Sequence, residues 1–540
     1  MLPRFPAFES VRPLMQLMDL ASQPNVRRKL RKSPEPELLP DASWDEIGEL
    51  VFKCGSTFQI KRGEALLRGA LARGASREIV EVWLDRICVE HFGNFGHALI
   101  YQRKVFEFLE KVGWEHASEV LPAHLMGVIG MARDEEIPTH SGFRKALAAA
   151  EPDLASWWEL SVAGSLRSLD DAERGALVRE ILDGKEAVAL EEVGRLLGDG
   201  VSPESLITAI LGAAAERLLR FDIAIDLDPA IQEGWLDVTH VFTFADAVSK
   251  TLTRYREPGV LRLLFHAAHF VHRMGPLDES AIARQRRLGV SSSTNLVESV
   301  RTRDPETAVA SARFFLERAS AAEKTKLRED LEDLILADHG NRAIFVAHYI
   351  KMLRAAFEQH DKLGQDPAAE PVVLATIRFL ASPIYERGLA SLTNDAIRFV
   401  LHNTTPRRLT QQWSGHTARS IKSPPLRTQR GWSKTTGKRH DVHVVLQPWD
   451  WMRSVGLAMS TRTTGATGCG CRPNDPSNTV EPSNTITTAN GEPVARALRA
   501  RAGAKGGLVG VGARGGGGQC KQPPPQPAQL PLPAWIARRR

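Results

Sequence analysis

Residues 235–273 read WLDVTHVFTFADAVSKTLTRYREPGVLRLLFHAAHFVHR, and this stretch decides the fold. Apolar positions recur with the helical period on both sides of Glu257-Pro258-Gly259, so it predicts a helix over 235–255, a turn, and a second helix through about 273. It holds four of the sixteen histidines, His240, His266, His269 and His272. The last three recur every third residue and span only about 120° of helix surface, among Leu263, Leu264, Phe265 and Phe270. Buried imidazoles need partners for their ring nitrogens, which a metal, a cofactor or a carboxylate network can supply.

Working outward, the same period continues in both directions. Residues 1–45 form a Pro-rich, charged leader or linker with the basic run RRKLRK, and residues 46–402 carry about fifteen helix signatures. Start signals are frequent: Ser76, Ser202-Pro203, Asp304-Pro305 and the Ser320/Glu323 capping box. Strand alternation and hairpin dipeptides are absent from this body, so it is read as an all-α multi-helix bundle. Residues 68–109 lie beside 194–252 as a weak repeat in which a short helix ending in Gly precedes a capped helix and then a helix opening near His97 or His240. A looser third copy carries His339, His348 and Lys351. Such duplication brings equivalent side chains to a shared centre.

Composition changes near residue 403. Residues 403–540 hold 21 Lys+Arg against 5 Asp+Glu, while the rest holds 49 against 59. The whole-chain charge of +6 therefore describes neither part, and nucleic-acid binding is not expected of the mildly acidic body. The Gly-, Arg- and Pro-rich tail lacks the apolar content to bury a core and is expected to be disordered; a shifted reading frame through GC-rich DNA would give the same composition. Two phosphate-loop lookalikes fall in it, 510–515 and 431–438. The first has no preceding strand and the second has one residue too many, so neither is a nucleotide site. Five scattered cysteines give no disulfide framework, and no apolar run approaches membrane-spanning length, so a cytoplasmic protein is expected.

The histidines carry the functional reading. His97 and His240 are candidate catalytic acids and bases, and His266, His269 and His272 candidate ligands for iron or another transition metal. Glu90, Asp222, Asp237 and Asp246 are candidate supporting carboxylates. His91, His116 and His124 are also in the body. Lys104 and Lys351 are read as surface lysines whose stems lie on apolar neighbours.

EHFGNFGHALIYQRKVFEFLEKVGWEHASEVLP and WLDVTHVFTFADAV with VLRLLFHAAHFVHR resemble the helical region of uncharacterised bacterial proteins that carry a C-terminal Rieske-type 2Fe–2S domain. That region is distantly similar to the questin-oxidase-like family, all-helical oxygenases of polycyclic aromatic polyketides. The resemblance covers roughly residues 50–402 and implies an oxidoreductase acting on an apolar or aromatic substrate, with His91, His97, His240, His269 and His272 as the matching positions. The Rieske ligands are absent from this chain, which would then take electrons from a separate donor protein or be inactive. The alternative is a non-catalytic helical scaffold.

Overall fold

The computed structural model describes residues 32–162, 166–227, 233–281, 292–337, 343–384, 398 and 401–403. All belong to one compact unit, Met1–Gly465; the second unit, Ala466–Arg540, lies outside the described residues, as do residues 1–31 of the leader, both phosphate-loop lookalikes, His339 and the tail beyond residue 403.

The described chain is helical, with three isolated β-bridges and no strand. In order the helices are α1 (Trp44–Ser56), α2 (Ile60–Ala72), α3 (Arg77–Glu90), α4 (His97–Val112), α5 (Ala117–Gly130), α6 (Ser141–Ala150), α7 (Leu154–Val162), α8 (Asp171–Asp183), α9 (Glu186–Gly198), α10 (Pro203–Arg220), α11 (Trp235–Arg254), α12 (Arg262–Arg273), α13 (Leu296–Arg301), α14 (Pro305–Leu316), α15 (Ala321–Leu336), α16 (Ala343–Leu363) and α17 (Ala369–Ala381). The expected caps are present. Ser76, Ser202, Asp304 and Ser320 each accept a hydrogen bond from a first-turn amide, and Ser320 and Glu323 close a capping box.

Helix α11 is the axis of the body. Every residue from Val238 to Ser249 is buried, which requires neighbours on all sides. Helices α4, α10, α12 and α16 provide them. Polar side chains fasten these layers where helices end. Arg217 of α10 donates to the carbonyls of Leu182 (2.7 Å) and Val271 (3.0 Å) and pairs with Asp278 (2.6 Å), closing the ends of α8 and α12. Arg378 of α17 does the same for Phe221 (2.8 Å) beyond α10.

The repeat has matching elements. Helices α2, α3 and α4 correspond to α9, α10 and α11. Both first helices end on a left-handed glycine, Gly74 (φ +84°) or Gly200 (φ +74°), and the following amides return to Ala70 and Leu196 in the same way. Both second helices start at a serine cap.

Between α3 and α4 the chain makes a tight left-handed turn in which Asn94, Phe95 and Gly96 have φ of +49°, +55° and +75°. Two non-glycine residues in this region cost about 1–2 kcal/mol each. The segment ahead of α6 offsets that cost: Asn94 N–H donates to Ala132 O (2.9 Å), Asp134 N–H to Phe92 O (2.9 Å), and the Asp134 carboxylate accepts from Phe95 N–H (2.5 Å). Gly96 has a second constraint, because a Cβ there would strike the Phe244 ring of α11. Gly96→Ala should therefore lower the unfolding free energy by about 3 kcal/mol in urea titration, combining backbone and packing strain; a loss below about 1 kcal/mol would contradict this reading of the turn.

Candidate active site

The left-handed turn delivers His97 to the first position of α4. From there its ring meets α11: the His97 and His240 centroids are 4.2 Å apart. His348, from the first half of α16, completes the group, with its Nε2 3.1 Å from His240 Nε2. All three rings are buried, His97 at 6 %, His240 at 5 % and His348 at 5 % exposure. His97, the first residue of α4, His240, in the second turn of α11, and His348 thus meet at one centre. Tyr101, one turn along α4, packs on His97 with centroids 5.2 Å apart.

Hydrogen bonds define the protonation pattern. His97 Nδ1–H donates to Asn94 O (2.6 Å) and His348 Nδ1–H to Ile344 O (2.7 Å), so in the neutral rings both Nε2 atoms carry lone pairs. His240 must then donate Nε2–H to His348, while the Leu236 carbonyl, one turn back on α11, lies beside its other nitrogen outside good hydrogen-bond geometry. Burial holds all three neutral: it pushes His97 down to about 3, and His240 and His348 well below the usual histidine range, with the positive charge of Lys351 adding to the effect in each case.

Lys351 lies three residues after His348, on the same side of α16. It is half-buried rather than a surface lysine, and its ammonium has no hydrogen bond or ion pair among the described residues. Burial, assisted by the charge of Lys104, lowers its pKa to about 7. Near neutral pH the centre is therefore three neutral imidazoles beside an amine that is about half deprotonated.

The histidines of α12 build a different cluster. His269 donates Nδ1–H to Glu186 (2.5 Å) and meets His140 Nδ1 with its Nε2 (2.8 Å); its ring stacks on Phe143. His266 is fully buried against Phe92 and Phe143, with neither ring nitrogen hydrogen-bonded. His272 turns away and contacts Ile181 O through Nδ1 (3.2 Å). Of the three expected metal ligands, His266 and His269 share the Phe92 and Phe143 rings while His272 turns away toward α8, and both nitrogens of His269 are already engaged. Among the described residues no group of three or more His, Cys, Asp or Glu is placed to hold a metal ion. The donor set does not fit iron or another transition metal at His266, His269 and His272. Nor do these rings face His240: Phe92 packs against both His266 and Phe244, and lies between the α12 cluster and the α11 helix.

The other sequence candidates have structural partners. His91 bonds Glu135 (2.8 Å), His124 bonds Gln102 (2.7 Å), and His116 sits 3.6 Å from Glu119. Asp246 is held by Gln359 and Lys250, Glu90 by Arg262, while Asp222 and Asp237 accept from backbone amides. The carboxylate that supports a ring of α12 is Glu186, in the first turn of α9; it and His140 were missed, because contacts 83 and 129 residues apart leave no periodic trace in the sequence. Lys351, expected at the surface, is half-exposed three residues after His348.

No protein-family model, curated protein or solved structure matches the chain.

These buried rings set an acid limit on stability. Burial lowers the pKa of His97, His124, His140, His240, His266, His269 and His348 below 6.5, so on acidification the unfolded chain takes up protons that the folded one resists. Asp85 and Asp134 act with the opposite sign: raised to about 6 and about 7, they stabilise at low pH and lose that contribution as pH rises. Seven imidazoles outweigh two carboxyls, so the urea midpoint should fall steadily from pH 7 to pH 4.5, and a midpoint that rises over this interval would contradict the neutral-ring assignment.

Proposed function

We propose that the protein is an enzyme of oxidoreductase type, oxygenase-like, that acts on an apolar or aromatic small molecule at the centre formed by His97, His240 and His348, with Lys351 beside it. The observation that carries this reading is the convergence of three neutral imidazoles from three helices next to an amine with no carboxylate partner. Clusters of perturbed titratable groups of this kind concentrate where proton transfer is carried out.

The chemistry follows from the lone pairs. His97 Nε2 is a base aimed away from its own backbone anchor, and His240 Nε2–H is a donor whose position is set by His348. A phenol or enol delivered against His97 loses its proton there. The anion that forms offsets the desolvation that had kept the ring neutral, so base strength increases as charge develops. The positive charge of Lys351, when protonated, favours the anion. An electron-rich aromatic anion of this kind is the species that reacts with oxygen, which agrees with the resemblance to the questin-oxidase-like family. No step is assigned to a metal, because the histidines of α12 do not converge. Where the reaction consumes reducing equivalents, a separate donor protein supplies them.

Oxygen uptake by the purified full chain, tested over a panel of anthrone- and anthraquinone-type phenols, checks the reading. Uptake should appear with at least one of them and fall about 100-fold or more in His97→Ala and His240→Ala, the usual contribution of general acid–base catalysis. No uptake across the panel, or uptake unaffected by these substitutions, would favour a non-catalytic scaffold.

A further inference from the structure

A chain of proton donors and acceptors runs from α9 through α12 to the segment ahead of α6. Glu186, in the first turn of α9, accepts from His269 Nδ1–H (2.5 Å), which leaves a lone pair on His269 Nε2. That lone pair lies 2.8 Å from His140 Nδ1, so His140 donates there and carries its own lone pair on Nε2. The order is carboxylate, imidazole, imidazole, with each N–H directed toward Glu186. Packing fixes it. Phe143 stacks on His269 with centroids 4.3 Å apart, Phe92 meets the same ring edge-on at 6.2 Å, and the second Glu186 oxygen lies 2.9 Å from where a Cβ on Gly142 would stand. His140 Nε2 is the open end, without a hydrogen bond among the described residues, in a ring set between the exposed Thr139 and Ser141. At 2 % exposure the ring offers that edge to a water molecule rather than to a substrate carbon, which suits a base and not a nucleophile. Two arginines stand one helical turn from the paired rings, Arg144 four residues after His140 and Arg273 four after His269.

We propose that Glu186, His269 and His140 form a second catalytic site, which hydrolyses a small carboxylic ester bearing an anionic group. His140 Nε2 is the base, and Arg144 and Arg273 hold the anion. Phe92 separates this site from the His97 centre, and neither depends on the other. The water oxygen attacks the ester carbon, and the C=O π electrons move to oxygen. The water proton goes to His140 Nε2, the His140 Nδ1 proton passes to His269 Nε2, and Glu186 stabilises the imidazolium that results. The tetrahedral intermediate then re-forms C=O and expels the alkoxide, which takes the proton from His140 Nε2 as the relay reverses. Ester plus water gives acid plus alcohol, with no change in oxidation state. Burial, then the charges of Arg273 and Arg144, hold His140 down to about 3 in the protein alone. An anion seated on the arginines offsets their share, so the ring gains basicity when substrate binds.

Hydrolysis of 4-acetoxybenzoate by the full chain, with methyl 4-acetoxybenzoate as the uncharged comparison, tests the assignment. The anionic ester should be hydrolysed above the buffer rate with saturation, at a kcat/KM at least ~10-fold that of the methyl ester. The rate should stay level from about pH 8 to pH 6, where exposed histidines titrate and the buried ring does not. His140→Asn should abolish it. Glu186→Gln keeps an oxygen for His269 Nδ1–H but removes the charge, and should lower kcat about 10-fold with KM unchanged; Arg273→Gln should raise KM for the anionic ester alone. Hydrolysis no faster than buffer, equal rates on the two esters, or an unchanged kcat in Glu186→Gln would overturn the proposal. Should His140→Asn fail to fold, Glu186→Gln decides, because that side chain is already a quarter exposed.

Discussion

Removing an imidazole from water without giving it a charge partner is the constraint on which this structure depends. Histidine in water would be part cation near neutrality, but in the interior built by α4, α11, α12 and α16 the charged form is excluded. Protonation is then governed by which nitrogen finds a carbonyl. At His97 and His348 the Nδ1 atoms find Asn94 O and Ile344 O, which leaves both Nε2 atoms as acceptors and makes His240 the donor between. Desolvation also acts on Lys351, where burial and the charge of Lys104 hold the ammonium below the ordinary lysine range.

The backbone is shaped around that centre. Three consecutive left-handed residues are unfavourable unless something external holds them, and here the Phe92–Asn94 and Ala132–Asp134 segments hold each other. The turn they define has two effects at once: it places His97 at the first position of α4, and it brings Asn94 O within reach of the His97 ring. Its glycine also lets α4 approach α11 closely enough for His97 and His240 to meet. Local strain and site geometry are thus the same feature.

The all-α architecture was legible in the sequence because helical periodicity and capping are local, as the serine caps at 76, 202 and 320 show. The pairing of His97 with His240 was legible for a less direct reason: each lies within the first two turns of a helix that follows a capped helix, and α4 packs on α11. The identity of the α12 cluster was not legible. Three histidines at a spacing of three residues share an arc, but a 120° arc is wide enough for one ring to reach α9, a second to end in a Phe-lined pocket and a third to turn toward α8. Spacing along one helix says which residues are near each other, and only the packing of other helices says where their nitrogens point. Most lysines on helices reach solvent, and Lys351 too is half-exposed; Lys250 differs in being ringed by Glu107, Asp246 and Glu358.

His97, His240 and His348 form one neutral group, His240 hydrogen-bonded to His348 and in ring contact with His97. Imidazole nitrogen-15 NMR of the full chain, recorded between pH 7.5 and 5 with assignment by single His→Asn substitutions, tests it most directly. The account predicts that all three rings keep neutral-form shifts throughout, with protons on Nδ1 of His97 and His348 and on Nε2 of His240. Any of the three titrating near 6.5 like an exposed histidine would contradict it.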